Sequence, residues 1–94
     1  MPKIAWYKFF TFFIVSFDTL NEPPHLHIAK GKSNRIYAAK IWLETLKFAE
    51  TADMTKKELN LIQSIVRDNQ KKLLALFAKA KAGKKIKPVE LKLK

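Results

Sequence analysis

The spacing of the apolar residues changes near residue 50, and this change constrains the fold more than any other feature of the sequence. Before it, short apolar stretches rich in Phe, Ile and Val alternate with polar turns, which is typical of strands. After it, apolar residues recur at steps of three and four, which is typical of a helix. Strands followed by a helix predict the α+β class, and the short connections between the strands predict an antiparallel sheet.

The first half of the chain predicts a meander of four to five strands. No glycine marks a turn between Tyr7 and Phe10, so one long bent strand is an alternative to a hairpin there. Residues 18–24 contain Asp18, Asn21 and two adjacent prolines and are expected to form a loop. The predicted strands are 3–10, 10–17, 25–29, 35–43 and 46–50.

The second half predicts one long or kinked C-terminal helix over residues 55–82, packed across the sheet. Thr55 and Glu58 match the T-x-x-E pattern of a capping box, which marks a helix start. Gly83 is suited to end the helix. Because the polar residues 68–70 interrupt the apolar stripe, both a continuous helix and a break at that point remain possible.

The last residues, 84–94, form a lysine-rich tail in which Val89, Leu91 and Leu93 alternate with charged residues. This alternation predicts an edge strand, and a frayed terminus is the alternative. A length of 94 residues predicts that 1–94 form a single domain.

The charge of the chain is strongly positive and unevenly distributed. The net charge is +11, and residues 51–94 supply +8 of it with twelve Lys and Arg against four Asp and Glu. Such a field attracts polyanions, so the expected partner is RNA, another nucleic acid or a small acidic protein. The principal candidates for binding are Lys79, Lys81, Lys84 and Lys85, although a merely solubilising lysine tail is the competing interpretation.

Other compositional features exclude several classes of protein. The longest apolar run, residues 9–17, is too short to span a bilayer, so no membrane partner is expected. The chain has no cysteine, which excludes disulfides and cysteine-ligated zinc and is compatible with a cytoplasmic location. No glycine-rich phosphate loop is present, and no cofactor is predicted.

His25 and His27 are the candidate catalytic residues. On a strand these imidazoles point to one face, while Leu26 and Ile28 point to the other and are expected to face the core. We therefore expect two exposed or half-exposed rings, mounted on the stiff Pro23–Pro24 segment.

Three roles for this pair remain open. The first is metal binding with ligands such as Asp18 or Glu22, for which no clear third ligand is evident. The second is proton transfer on RNA, with phosphates held by Lys30, Lys32 and Arg35. The third, which is favoured, is a structural role in which an imidazole is hydrogen-bonded to the proline loop.

Aromatic residues alternate with lysine near the N-terminus, in the stretch Trp6–Phe10. In an RNA-binding sheet, exposed aromatic side chains stack on bases. Packing in the core is the favoured interpretation, because Phe and Trp are usually buried in a small domain.

Taken together, the "MPKI" start, the Asn21-x-Pro23-Pro24-His25-x-His27 motif and the "AGKKIKP" stretch at 82–88 resemble a family of small bacterial proteins, domain of unknown function 4160. The resemblance implies a short N-terminal sheet that carries this motif, followed by a helix. Asn21, Pro23 and Pro24 are the residues expected to shape the loop, because Asn and Pro favour turns. By analogy, the resemblance also implies a role of the toxin–antitoxin type.

Two functional hypotheses follow. In the first, the protein is the toxin-like, RNA-acting member of a two-protein module, and His25 and His27 transfer protons. In the second, it is a non-catalytic interaction or nucleic-acid-binding module that uses its basic helix and tail.

Overall fold

The computed structural model describes residues 3–15, 22–31 and 38–93. Its α+β architecture confirms the predicted fold class, with a mostly antiparallel sheet and two helices. The described part of the chain contains six strands rather than four or five, because the tail supplies one. In chain order, the elements are β1 (Lys3–Tyr7), β2 (Phe10–Phe13), β3 (His25–Lys30), β4 (Ala39–Trp42), β5 (Phe48–Glu50), α1 (Lys56–Asp68), α2 (Gln70–Lys81) and β6 (Val89–Glu90).

The sheet has the strand order β5-β4-β3-β2-β1-β6. Strands β1 to β5 form the predicted antiparallel meander, and β6 joins the outer edge of β1 in parallel. The hairpin between β1 and β2 turns at Lys8 and Phe9, so the alternative of one long bent strand is wrong. Lys8 adopts φ 51°, a left-handed conformation that side chains other than glycine rarely take.

The core lies between one sheet face and the helices. Leu26, Ile28 and Ile41 are fully buried and belong to one cluster with the apolar stripe of α1 and α2. The prediction that Leu26 and Ile28 face the core is therefore confirmed. Burying side chains of this size stabilises the fold by roughly 1.5–3 kcal/mol each. The helical residues in the cluster are Ile62, Ile65, Val66, Leu73 and Phe77.

The predicted helix is divided into two by a single residue. Its start is confirmed, because the Thr55 side chain accepts a bond from Glu58 N at 3.1 Å and Glu58 Oε1 accepts one from Thr55 N at 2.9 Å. Asn69 separates α1 from α2 with φ −120° and ψ 18°. Its amide Nδ2 donates to Ile65 O at 2.8 Å, a local bond that competes with helical continuity. Gly83, with φ 79°, follows the end of α2 as predicted.

The tail forms an edge strand rather than a frayed terminus. Val89 and Glu90 pair with Ala5 and Trp6, and Leu91 N donates to Trp6 O at 2.8 Å. Leu91 is buried in the core cluster, which explains why the tail is held. Among the described residues, no helix has both the length and the apolar character needed to cross a membrane.

Candidate functional site

The two histidines stand at the start of β3 on the sheet face opposite Leu26 and Ile28. Strand pairing places His27 beside Phe13 of β2 and Lys40 of β4, and it places His25 beside Trp42. We call the side chains of these five residues the histidine face.

His25 is fully buried. Its Nδ1 lies 2.8 Å from Pro23 O, and because a carbonyl oxygen only accepts, Nδ1 carries the proton. The ring centroid is 5.6 Å from that of Trp42 and 5.7 Å from that of Phe77 in α2. The expectation that both imidazoles are exposed or half-exposed is therefore wrong for His25. Strand alternation set the direction of its side chain, but Phe77 comes from a distant part of the chain to cover it.

His27 is half-buried, and its ring contacts two other rings. It stacks on Phe13 with a centroid distance of 5.4 Å, and it meets the ring of His25 edge to face at 5.3 Å. This contact agrees with the prediction that the two imidazoles point to one face of the strand. Of the pair, His27 has the ring that solvent reaches.

Beside His27, Lys40 is held in place by two groups. Its ammonium pairs with the carboxylate of Glu22 and lies 4.7 Å from the centroid of Trp42. Its side chain is only 17% exposed. The sequence did not reveal this arrangement, because Glu22 and Lys40 are brought together by the pairing of β3 with β4. Since Glu22 offsets its charge, Lys40 is a weaker phosphate ligand than a free lysine.

The predicted phosphate ligand Lys30 does not join the histidines. Three positions separate it from His27 on β3, so the two side chains point to opposite faces of the sheet. Lys30 Nζ instead lies 3.3 Å from Glu58 Oε1 in the first turn of α1. Lys32, Arg35 and Asn21 lie outside the described residues, as does Asp18, a suggested metal ligand.

The proline loop reaches the sheet through its backbone. Pro23 O accepts the bond from His25, and Pro24 O accepts a bond from Leu43 N at 3.0 Å. These bonds are consistent with the loop-shaping role expected for the two prolines. Within the described ranges, no group of three or more His, Asp and Glu side chains is placed to hold a metal ion.

Hydrogen bonds at the start of α1 lower the pKa of Glu58. The backbone N–H of Thr55 donates to its carboxylate and holds the pKa below the ordinary value of 4.5, and Lys30 lowers it further. These interactions favour the ionised form of Glu58. Its role is therefore to cap α1 and to anchor Lys30.

A basic segment extends over α2 and the residues that follow it. Its lysines are exposed, and within the part of the chain that the structure describes none of them forms an ion pair. Glu90 is the only acidic residue in this stretch of the sequence. The lysines are Lys71, Lys72, Lys79, Lys81, Lys84, Lys85, Lys87 and Lys92, and we call them the lysine segment.

The aromatic residues near the N-terminus divide between the core and the surface. Phe10 is buried, whereas Phe9 is 58% exposed and Trp6 is partly exposed. The expectation that these rings pack in the core is therefore right for Phe10 and wrong for Phe9. Phe9 stands in the two-residue turn between β1 and β2, which carries it away from the core.

Comparison with known proteins identifies the family of this chain. The sequence model of a family described as domain of unknown function 4160 matches residues 10–77, which is more than half of the chain. The chain belongs to this family. The matched residues include both histidines and end within α2, before Lys79. A search of curated proteins and a search of solved structures each found no significant match.

Proposed function

We propose that this protein is a non-catalytic nucleic-acid-binding module that holds the phosphate backbone with its lysine segment. The observation that carries the proposal is the set of eight exposed lysines, for which the described structure offers no ion-pair partner. Cations without internal partners are available to neutralise phosphates and to release the counterions condensed on them.

Helix α2 and the tail arrange these charges on a fixed support. Lys79 and Lys81 stand in the last turn of α2, where the helix dipole favours positive charge. Lys84, Lys85 and Lys87 follow directly, before β6 returns the chain to the sheet. The charges are therefore concentrated between two anchored elements and do not trail from a loose end.

The structure of the histidine face also favours a binding role over catalysis. Proton transfer to a bound substrate requires a ring that the substrate reaches. His25 is fully buried and donates to Pro23, so it is better suited to hold the loop than to exchange protons with RNA.

The test compares two variants that each lose three positive charges. The variant K81Q/K84Q/K85Q removes part of the lysine segment, and K47Q/K56Q/K57Q removes three exposed lysines elsewhere. Binding of a labelled 20-nucleotide single strand is followed by fluorescence anisotropy over a range of salt concentrations. Because each lost phosphate contact reduces the salt slope on a single strand by about 0.7, we expect a reduction of about 2 in the first variant. We expect a wild-type slope in the second.

Two results would contradict the proposal. One is an equal loss of affinity in both variants, which would show a general charge effect with no localised site. The other is no measurable binding of any nucleic acid at low salt. Binding of a small acidic protein to the same lysines would instead identify a protein partner.

RNA cleavage of the toxin type is a second candidate function. The observation that favours it is the contact of the two imidazoles at 5.3 Å, with Lys40 paired to His27 across the strands. On this hypothesis His27 exchanges the proton and His25 orients its ring. Wild-type protein would then cleave RNA and arrest growth when expressed, and His27→Ala would do neither while remaining folded. Cleavage that survives in His27→Ala would exclude this role.

A further inference from the structure

A groove of about 420 Å³ opens beside the turn between β1 and β2. This size lies within the range of small-molecule sites, which is roughly 300–1,000 Å³. Its walls combine aromatic rings with lysine side chains. The lining residues are Lys3, Trp6, Lys8, Phe9, Thr11 and Gly31.

The aromatic walls of the groove offer flat apolar surface to solvent. Phe9 is 58% exposed, which is unusual for so large an apolar side chain, and Trp6 is partly exposed beside it. Trp6 and Thr11 are directly paired across β1 and β2, so their side chains lie on the same face of the sheet. Exposed aromatic rings are the surfaces on which unpaired bases stack.

Two lysines line the groove together with these rings. Lys3 Nζ lies 5.4 Å from the Trp6 centroid, whereas Lys8 Nζ lies 5.6 Å from the centroid of Tyr7, a ring that does not line the groove. Both lysines are exposed, and neither forms an ion pair among the described residues. Apolar rings flanked by cations complement a base flanked by phosphates.

The backbone holds this arrangement under strain. Lys8 has φ 51° at a turn position that usually prefers glycine. Gly31 N donates to Phe9 O at 2.8 Å, which fastens the turn to the end of β3. The left-handed conformation of Lys8 lets the chain reverse within two residues. Here its effect is to present Phe9 and Lys8 together.

The groove also lies next to the strand that ends the lysine segment. β6 pairs with β1, so Lys87 and Lys92 flank a strand adjacent to Lys3 and Trp6. Glu90 is the register partner of Trp6 and brings one negative charge to this edge, although it does not line the groove. A polyanion held by the tail would therefore pass close to the groove.

We propose that this groove accepts a base of a single-stranded nucleic acid, stacked against Trp6 and Phe9, while Lys3 and Lys8 bind the flanking phosphates. The inference rests on the proposed function and narrows it from nucleic acid in general to single strands. A duplex keeps its bases stacked within the helix and does not offer them to the groove.

The first test uses the two large apolar side chains that are exposed in the described structure. Phe9→Ser removes a ring from the groove, and Leu93→Ser removes an apolar side chain of 43% exposure from the tail. Both positions are exposed, so we expect both variants to fold. Because stacking of one base on an aromatic ring is usually a strong contribution, Phe9→Ser should weaken binding of a 12-nucleotide thymidine strand about tenfold. Leu93→Ser should bind it like the wild type.

The second test measures the fluorescence of Trp6. In a Trp42→Phe background, Trp6 is the only tryptophan. Titration with the 12-nucleotide strand should quench its fluorescence, and a duplex of the same length should quench it far less. Lys8→Gly should weaken single-strand binding several-fold without lowering the melting temperature, because glycine accepts the positive φ without strain.

The outcomes separate this inference from the proposed function. If Phe9→Ser binds as the wild type does and Trp6 fluorescence does not change, the groove is not the site, although salt-dependent binding would leave the proposed function intact. If Phe9→Ser weakens binding but K81Q/K84Q/K85Q binds like the wild type, the groove is the main contact and the lysine segment is not. If no single strand binds at all, both are overturned.

Discussion

At the scale of single residues, His25 and His27 show how two similar side chains on one strand take different roles. Both point to the same face of the sheet, yet His25 is fully buried and His27 is half-buried. The difference arises because Trp42 and Phe77 pack around the first ring, while Phe13 stacks on the second. His25 thus contributes mainly to stability, and His27 is the member of the pair that is available to a ligand.

Replacing each histidine by alanine should separate these roles. We expect His25→Ala to lower the free energy of unfolding by about 3 kcal/mol, because it leaves a cavity and removes the bond to Pro23. His27→Ala is the matched control and should cost about 1 kcal/mol, since its ring is only half-buried. Urea denaturation at neutral pH measures both values. Equal losses in the two variants would contradict the structural role of His25.

At the scale of secondary-structure elements, short polar signals decide where the helices begin and divide. Thr55 and Glu58 form the capping box that starts α1, and Asn69 divides α1 from α2. Glu58 and Asn69 also connect the helices to other elements, because Glu58 binds Lys30 of β3 and Asn69 Nδ2 donates to Lys92 O at 2.9 Å. The helix boundaries are therefore also the points at which the helices are attached.

Glu58 makes stability depend on acidity. Its pKa in the folded protein is lowered, first by the bond from Thr55 N–H and then by Lys30, so folding favours the ionised carboxylate. This contribution is complete above the unfolded pKa, near 4.5, and is lost as the pH falls through the lower folded pKa. We expect Glu58→Gln to flatten the acid side of the stability profile, measured by urea denaturation from pH 6 downward. Glu44→Gln, at an exposed turn position, should keep the wild-type profile. Identical profiles for the wild type and both variants would show that Glu58 does not cause the loss of stability in acid.

Asn69 should hold the tail more than it holds the helices. Asn69→Ala loses the bond to Lys92 O but gains helix propensity, so the net change in global stability should stay below about 1 kcal/mol. Hydrogen exchange of Leu91 N–H, which donates to Trp6 O, should become roughly tenfold faster. Gln63→Ala removes a comparable side-chain bond to Leu46 O and should leave Leu91 protected. Unchanged exchange at Leu91 in Asn69→Ala would show that its burial in the core suffices to hold the tail.

At the scale of the whole molecule, the dominant property is charge. A net charge of +11 on 94 residues creates repulsion that folding concentrates, most strongly around the lysine segment. The ion pairs of Lys30 with Glu58 and of Lys40 with Glu22 involve lysines of β3 and β4 and leave that segment unneutralised. The same charges that favour binding of a polyanion should therefore destabilise the free protein.

Added salt should stabilise the fold. Because screening weakens repulsion between like charges, we expect the melting temperature to rise by several degrees between about 20 and 300 mM sodium chloride. The rise should be smaller in K81Q/K84Q/K85Q, which carries three fewer charges in the crowded region. Thermal unfolding followed by circular dichroism measures both. A wild-type melting temperature that is insensitive to salt would show that the repulsion is already relieved within the folded chain.

The local elements and the class of fold follow from the order of residues along the chain. The meander, the start of α1 at Thr55 and the stop at Gly83 were readable, because each depends on residues within a few positions of one another. The polar residues 68–70 left both a continuous helix and a break open, and the structure places the break at Asn69. The family was also readable from the short motif around His25 and His27.

How the elements combine into surfaces depends instead on contacts between residues that are far apart in the sequence. The burial of His25, the pairing of Lys40 with Glu22, the separation of Lys30 from His27 and the place of β6 beside β1 each join residues distant in sequence. Strand periodicity predicts which way a side chain points but not what covers it. For this reason the sequence pointed to the histidines, whereas the exposed groove beside Phe9 became visible only in the folded chain.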